Sequence, residues 1–473
     1  MPSFRIPLAD NAGTRNNTFM RFVRLPALAL FFLITTTVSS ALEKQPSSDY
    51  HARRAALGNE LHGGVTILFA AEEPVLDFDP YRQDSDFYYL TGWNEPGAAL
   101  MIVGPSSEPE RPGQPAHARE YREVLFLPTR NLRLEQYTGA KMDASTPNVA
   151  KVTGVDNVES MTSLADDLNK LIAADRRLAS NVWTQPRRKT AESLLEYTAA
   201  TLGTTANTPK DVTTLTTPLR EVKDAGEIEL LKKASTASIA GQRAMMSSVK
   251  SGETERTIAG IMTAAWFRHG CERPSYAPIV GTGINSTVLH YSENSRTIED
   301  GDIIVVDAAC EYSMYASDIT RTVPAHGHFT ERQREIYDVV LGAQKAAIDA
   351  FVAGKSKIND FTHRDPDTLD VVAFNYINTH GKDLHGEPLG KYWLHGLGHM
   401  VGIDVHDPAQ YPAVLKPGMV FTIEPGVYIP EEKIGVRIEC DFLVLPNGKL
   451  LDLDADLPHT AEEVEAAMSK TGE

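Results

Sequence analysis

Four carboxylates in the second half of the chain stand where a carboxylate is costly. Asp307 ends the apolar run GDIIVVD, Asp318 opens SDITRTV, Glu424 lies in MVFTIEPGVYI and Glu439 in GVRIECDFLV. Runs of this kind read as buried strands, and an acidic side chain placed in one needs a partner or a metal ion. The midpoint between Asp307 and Asp318 falls between Tyr312 and Ser313. A two-residue hairpin turn there sets the aspartates directly opposite each other, with Cβ atoms about 4.5–5.5 Å apart. The midpoint between Glu424 and Glu439 falls between Glu431 and Glu432, inside turn-like IPEEKIG, so the glutamates oppose each other on a second hairpin. Like charges facing across a ladder destabilise it; a shared cation removes the repulsion.

Four histidines accompany them: His290, His395, His399 and His406. A lone histidine is more often structural, but four in the same half as two acidic pairs point to a site. HGLGHMVG has the HxxxH spacing, yet Gly396, Gly398 and Gly402 argue for a loop in which backbones approach closely, not a helix. Four carboxylates and one imidazole suit a hard or borderline divalent ion such as Mn²⁺, Co²⁺ or Zn²⁺. They carry more charge than one such ion neutralises. That favours two metals about 3.5–4 Å apart with bridging carboxylates.

The elements that must hold these groups follow from the pattern. After a polar link, the chain reads as a helix from Asp49, strands at 64–70, 98–104 and 123–128, and an aromatic stretch, 81–93, that is strand-like at its end. A Pro- and charge-rich loop, SSEPERPGQPAHARE, separates two of the strands. Helical SLADDLNKLIAA and ESLLEYTAATL flank a strand-like RLASNVW. A domain boundary is expected in the Thr- and Pro-rich stretch 204–228. Helices are expected over 225–250, 253–269 and 330–353, the last opened by the capping box Thr330–Gln333, with strands at the four carboxylates and a final helix from Ala461. No internal repeat has a clear period.

Composition narrows the class. The chain has 473 residues, 42% apolar and 23% charged, the profile of a globular enzyme. Its net charge of −17 disfavours nucleic acid or an anionic membrane as partner. Three cysteines, Cys271, Cys310 and Cys440, form no CxxC and are expected as buried free thiols. Cys310 and Cys440 lie odd offsets from Asp307 and Glu439 and should face away from them. Basic MRFVR at 20–24, apolar 25–38 and small Ser39-Ser40-Ala41 have secretory signal architecture, with Met20 a candidate start. Export is therefore expected, with no membrane span after cleavage.

LHYSEN (289–294), DGDIIVVDAACEYSMYASDITRTVPAHGHFT (300–330), HGLGHMVGIDVHD (395–407), TIEPGVYI (422–429) and GVRIE (435–439) together resemble the pita-bread metallopeptidases, family M24. Within that family the chain most resembles the Xaa-Pro aminopeptidases (aminopeptidase P), and RQDSDFYYLTGWNEPGAALMIV (82–103) extends the resemblance to the first half. Ala309 departs from the family's usual glycine. With the signal peptide read as 1–41, the resemblance implies an α/β (α+β) chain: a creatinase-like N-terminal α/β domain 42–215, a C-terminal pita-bread catalytic domain 216–460 and a tail 461–473. It implies that Asp307 binds a first metal, Asp318 and Glu439 bridge both, and His399 and Glu424 complete the second. Manganese is the expected ion, and a bridging hydroxide the nucleophile on the carbonyl before proline. Glu424 would then be the general base, His290 and His406 would contact substrate and oxyanion, and His395 and Arg437 would line the substrate site. Thr320 would support a carboxylate. The implied partners are peptides with proline second, and further copies of the chain as a homo-oligomer. A prolidase is the alternative. A creatinase-like hydrolase or a non-catalytic binding relative would have lost ligands that are all present here.

Overall fold

The computed structural model describes residues 42–469 except 74–80, 107–118, 188, 205–206 and 360–364. The expected signal peptide, most of the Pro-rich loop and residues 470–473 lie outside the described residues. The first half is built on a six-stranded sheet in the order Val158–Ser160, Arg122–Leu127, Ala99–Val103, Val65–Phe69, Val182–Thr184, Lys210–Asp211. Its central strands, VTILF, ALMIV and REVLFL, are apolar on both faces because helices cover both. Val65, Ile67 and Phe69 pack with Leu164, Leu168 and Leu195 of the helices Leu164–Ala174 and Lys189–Leu202. Leu68, Leu100 and Ile102 face the other way, to Leu57 and Leu61 beside the helix Ser47–Glu60.

The stretch 81–93 is not strand-like at its end. Ser85–Thr91 is a helix, because Asp84 caps it by accepting from the Phe87 amide at 3.0 Å. Aromatic β-propensity is weak beside a cap and burial on all sides.

In the second half, two helix pairs back two hairpins. Ala225–Ser248 and Glu255–Arg268 pair, as do Glu331–Ala350 and Leu369–His380. Both Glu331–Ala350 and Ala225–Ser248 open with capping boxes, Thr330 with Gln333 and Asp224 with Glu227. The first hairpin pairs Ile303–Asp307 with Thr320–Pro324 and Cys310–Tyr312 with Tyr315–Ala316. The second pairs Gly426–Ile429 with Ile434–Arg437 and Val420–Ile423 with Cys440–Val444.

The second register is the one expected: Gly426 opposes Arg437 and Thr422 opposes Asp441. The first differs. Its turn is Ser313-Met314, both at positive φ (50° and 73°), so Thr320, not Asp318, stands opposite Asp307. Two consecutive left-handed residues make the tight turn whose twist suits a hairpin. A two-residue slip preserves the face, so Asp318 remains beside Asp307 as a diagonal neighbour.

Each hairpin carries the same device near its acidic pair. The Gln242 side-chain amide donates to the carbonyls of Ala308 and Ile319 at 3.0 and 3.1 Å. That of Gln344 donates to Ile423 and Ile438 at 3.0 and 3.2 Å. The hairpins meet edge to edge through the Thr320–Glu439 bridge and through Thr322, whose hydroxyl donates to the Arg437 carbonyl at 2.8 Å. The same fold arrangement occurs twice without a legible sequence repeat.

Cys271 and Cys310 are joined as a disulfide, Cα atoms 6.1 Å apart, rather than standing as free thiols. Arg273–Pro274 pairs with Cys310–Glu311, and that pairing brings the two cysteines together. Cys440 is free and buried, on the opposite side of its strand from Glu439. Denatured without reductant, the purified chain should titrate one thiol, that of Cys440; three would refute the pairing.

Candidate metal centre

The expected ligands converge. Ligand atoms of Asp307, Asp318 and Glu439 lie within 4.8 Å of one another, as do those of His399, Glu424 and Glu439. Asp307 ends the strand Ile303–Asp307 and Glu424 directly follows Val420–Ile423, both at gaps in the ladder where the side chains turn to a common centre. His399 Nε2 lies 3.3 Å from Asp318 Oδ2 and 3.5 Å from Glu424 Oε1. Its Nδ1 meets the Met400 carbonyl at 3.1 Å, which keeps Nε2 aimed at the carboxylates. The HGLGH segment is extended, as its glycines require: a Cβ on Gly398 would come 2.0 Å from the Thr422 carbonyl. That close approach lets the His399 amide donate to the Thr422 hydroxyl at 3.1 Å.

A layer of polar groups holds the carboxylates. The Tyr276 hydroxyl bridges Asp307 and Asp318. Arg437 Nη2 pairs with Asp307, and Arg437 Nε donates to Thr320 Oγ1 at 3.2 Å. Thr320 in turn donates to Glu439 at 2.6 Å. The Asp318 amide donates to Asp441 at 3.0 Å. Tyr276 and Asp441 were not legible as site residues. Tyr276 is a lone tyrosine in a loop 31 positions from Asp307, and Asp441 looks like one more strand charge.

The substrate-side candidates fall into two groups. Arg437 Nη1 donates to the Tyr428 hydroxyl at 2.7 Å, which reaches His395 Nε2 at 2.8 Å. His395 Nδ1 meets the Gly396 carbonyl at 2.8 Å. Burial, then the Arg437 charge, lowers His395 to about 3, so it is neutral. Burial, then the charge of His399, lowers His406 to about 4. The His406 ring lies on His399, centroids 3.9 Å apart. His290 is exposed on the rim, next to Leu289, whose carbonyl accepts from Arg437 at 3.4 Å.

The electrostatics fit divalent cations. Burial pushes Glu424 up to about 7 and Glu439 well above the usual carboxylate range, with Asp318 also raised. His399 is raised to about 9: burial opposes its charge, but Asp318 and Glu424 outweigh it. Against four carboxylates stand one buried arginine and one imidazolium. Two hard or borderline cations would replace the missing positive charge, with oxygen donors and one imidazole nitrogen as ligands.

Comparison with known proteins places the chain. Residues 229–446 match Metallopeptidase family M24, and residues 50–180 match Aminopeptidase P, N-terminal domain. The chain belongs to metallopeptidase family M24, and within it to the aminopeptidase P group; it is a metallo-exopeptidase. It is 31% identical to the Xaa-Pro aminopeptidase of Haemophilus influenzae, over 90% of this chain and 99% of that one. It is 32% identical to that of Escherichia coli, over 89% and 97%. Zn-substituted E. coli aminopeptidase P in complex with product matches with a TM-score of 0.76 at 28% identity, covering 91% of this chain and all of that one (100%). Among the described residues no helix is long and apolar enough to cross a membrane.

Glu424 and His399 each bind a proton more tightly folded than unfolded, so the stability they contribute is full at low pH. Glu424 loses it as pH rises from 4.5 through about 7, and His399 from 6.5 through about 9. The melting temperature of chelated protein should therefore fall between pH 5 and pH 9. Added Mn²⁺ should raise it more at the alkaline end, because its ligands must be deprotonated. Thermal scans with and without chelator check this; a chelated protein that melts higher as pH rises would refute it.

Proposed function

We propose that the protein removes the N-terminal residue from peptides whose second residue is proline. The observation that supports this reading is the convergence of all five expected ligands, in order, in a chain that spans nearly the whole length of its Xaa-Pro aminopeptidase relatives. Asp307 would hold one cation, His399 and Glu424 the other, with Asp318 and Glu439 shared between them. When bound, two divalent cations, Mn²⁺ in this reading, would supply Lewis acidity and lower the pKa of the attacking water.

The chain's own residues do the rest. Glu424 accepts the water's proton and passes it to the leaving nitrogen. Asp318 and Glu439 stay in place because Tyr276 and Thr320 hold them. Neutral His406 and rim-placed His290 donate to the oxygen that becomes anionic. The Arg437–Tyr428–His395 chain would line the substrate site. A proline nitrogen has no N–H, so recognition there rests on ring shape and on the carbonyl before it.

Export through residues 1–41 and homo-oligomer assembly belong to the same proposal. A disulfide is at home in an oxidising compartment, which supports the first.

Mn²⁺-loaded protein should cleave a tripeptide such as Gly-Pro-Leu between glycine and proline. Cleavage confined to the dipeptide Gly-Pro would mark a prolidase instead. Glu424→Gln should lower kcat by about 10²- to 10⁴-fold, and Asp318→Ala should abolish turnover. Retained activity in Asp318→Ala would sink the ligand assignment.

A further inference from the structure

His406 has no side-chain hydrogen bond among the described residues, and its ring is exposed. Its place beside His399 is therefore set by the loop 400–407. That loop is closed by the residue after it. Asp407 is 3% exposed, and its amide donates to the Met400 carbonyl at 2.9 Å. One Asp407 oxygen accepts from Arg220 Nη2 at 2.6 Å and from the Asp404 amide at 3.2 Å. The other accepts from Lys223 Nζ at 3.0 Å. Gly402 makes room for this: a Cβ there would lie 2.5 Å from the Asp407 carboxylate.

The hub of the arrangement is Arg220, 4% exposed, near the end of the helix Thr213–Glu221 that links the two halves. Its guanidinium spans three carboxylates. Nη1 donates to Asp86 at 2.9 Å, and Nη2 donates to Asp404 at 2.7 Å as well as to Asp407. Asp86 belongs to the N-terminal helix Ser85–Thr91; Asp404 and Asp407 belong to the loop that carries His406. Two neighbours reinforce the span. Arg82 Nη2 donates to the Ile403 carbonyl at 2.8 Å, while its Nε donates to Glu311 of the first hairpin at 2.8 Å. The Ser85 hydroxyl donates to Asp404 at 2.6 Å. A cleft of about 590 Å³ between these elements has His406, Arg220, Asp86 and Asp404 on its walls.

We propose that Arg220 is a positioning residue for His406, and that through it the N-terminal half sets the substrate-side geometry of the catalytic centre. The inference rests on the functional reading above, in which His406 meets the substrate. A guanidinium reaches three carboxylates because its donors lie in a fixed planar fork; a lysine ammonium in the same place cannot. Without that fork Asp404 and Asp407 lose the donor they share and repel each other, and of the cations Lys223 alone is left on Asp407. His406 then drifts while the five metal ligands, held by other groups, stay put. A displacement of about 1 Å is enough to cost about 100-fold in rate.

The test uses the full chain loaded with Mn²⁺, a Gly-Pro-Leu substrate and the variants Arg220→Lys, His406→Ala and their double. Arg220→Lys should lower kcat by about 100-fold with KM nearly unchanged. It should keep two equivalents of metal and speed backbone hydrogen exchange in 400–407. The double variant should match His406→Ala within about twofold, because the arginine acts through the histidine. Losses that multiply in the double variant, or a wild-type kcat in Arg220→Lys, overturn the proposal. So does unchanged exchange in 400–407, which decides the matter if His406→Ala is too slow to measure. Should Arg220→Lys not fold, Asp86→Asn, which releases only the Nη1 contact, goes through the same cycle with a loss of about tenfold expected. Failure of the wild-type protein to cleave the peptide would instead count against the functional reading.

Discussion

Four carboxylates crowded around one buried point are the constraint on which the rest of this structure depends. Their mutual repulsion and desolvation oppose folding, and only a few cationic or donor groups offset them. Arg437, Tyr276, Thr320 and His399 each touch at least one of the four. The cluster remains short of positive charge, and its protons are held more tightly than in water. A site with this imbalance is stable as a receptor for cations and costly without them. Binding capacity and instability are thus the same property seen from two sides.

The backbone answers a related demand. Each acidic pair lies where a β-ladder is interrupted, and buried carbonyls at such a gap need donors. Gln242 and Gln344, reaching in from the helices Ala225–Ser248 and Glu331–Ala350, donate to two carbonyls apiece there; that of Ile319 also accepts from the Ala308 amide. The helices therefore do more than cover the sheets. They keep the gaps open at a fixed width, so that side chains instead of backbone occupy the centre.

The N-terminal half contributes through charge as well as packing. Arg82 and Ser85 bond directly to the loop after His399, and Asp86 reaches it through Arg220. Glu43, at the start of the described chain, donates its amide to the Ser313 hydroxyl at 2.8 Å, at the tip of the first hairpin. Both contacts join the halves close to catalytic elements.

Much of this was legible in the residues alone. The strands VTILF and ALMIV, the capping box at Thr330, the second hairpin's register and the four carboxylates follow from pattern and spacing, because local periodicity and side-chain chemistry decide them, whereas His399 is singled out among four histidines only by the family resemblance. Other features depend on groups distant in sequence. The turn at Ser313-Met314 shifts the first register by two residues, and spacing alone cannot distinguish that from a turn one position earlier. The Cys271–Cys310 bond exists because a short strand pairing joins segments 39 residues apart. Tyr276, Asp441 and Arg220 carry no local mark of their roles; each became a site residue only when folding brought a carboxylate or an amide to it. The sequence by itself determined which atoms can bind metal, since that is a matter of element and charge. Only the tertiary structure decided how those atoms are held, since the holding is done by burial and by contacts between distant segments.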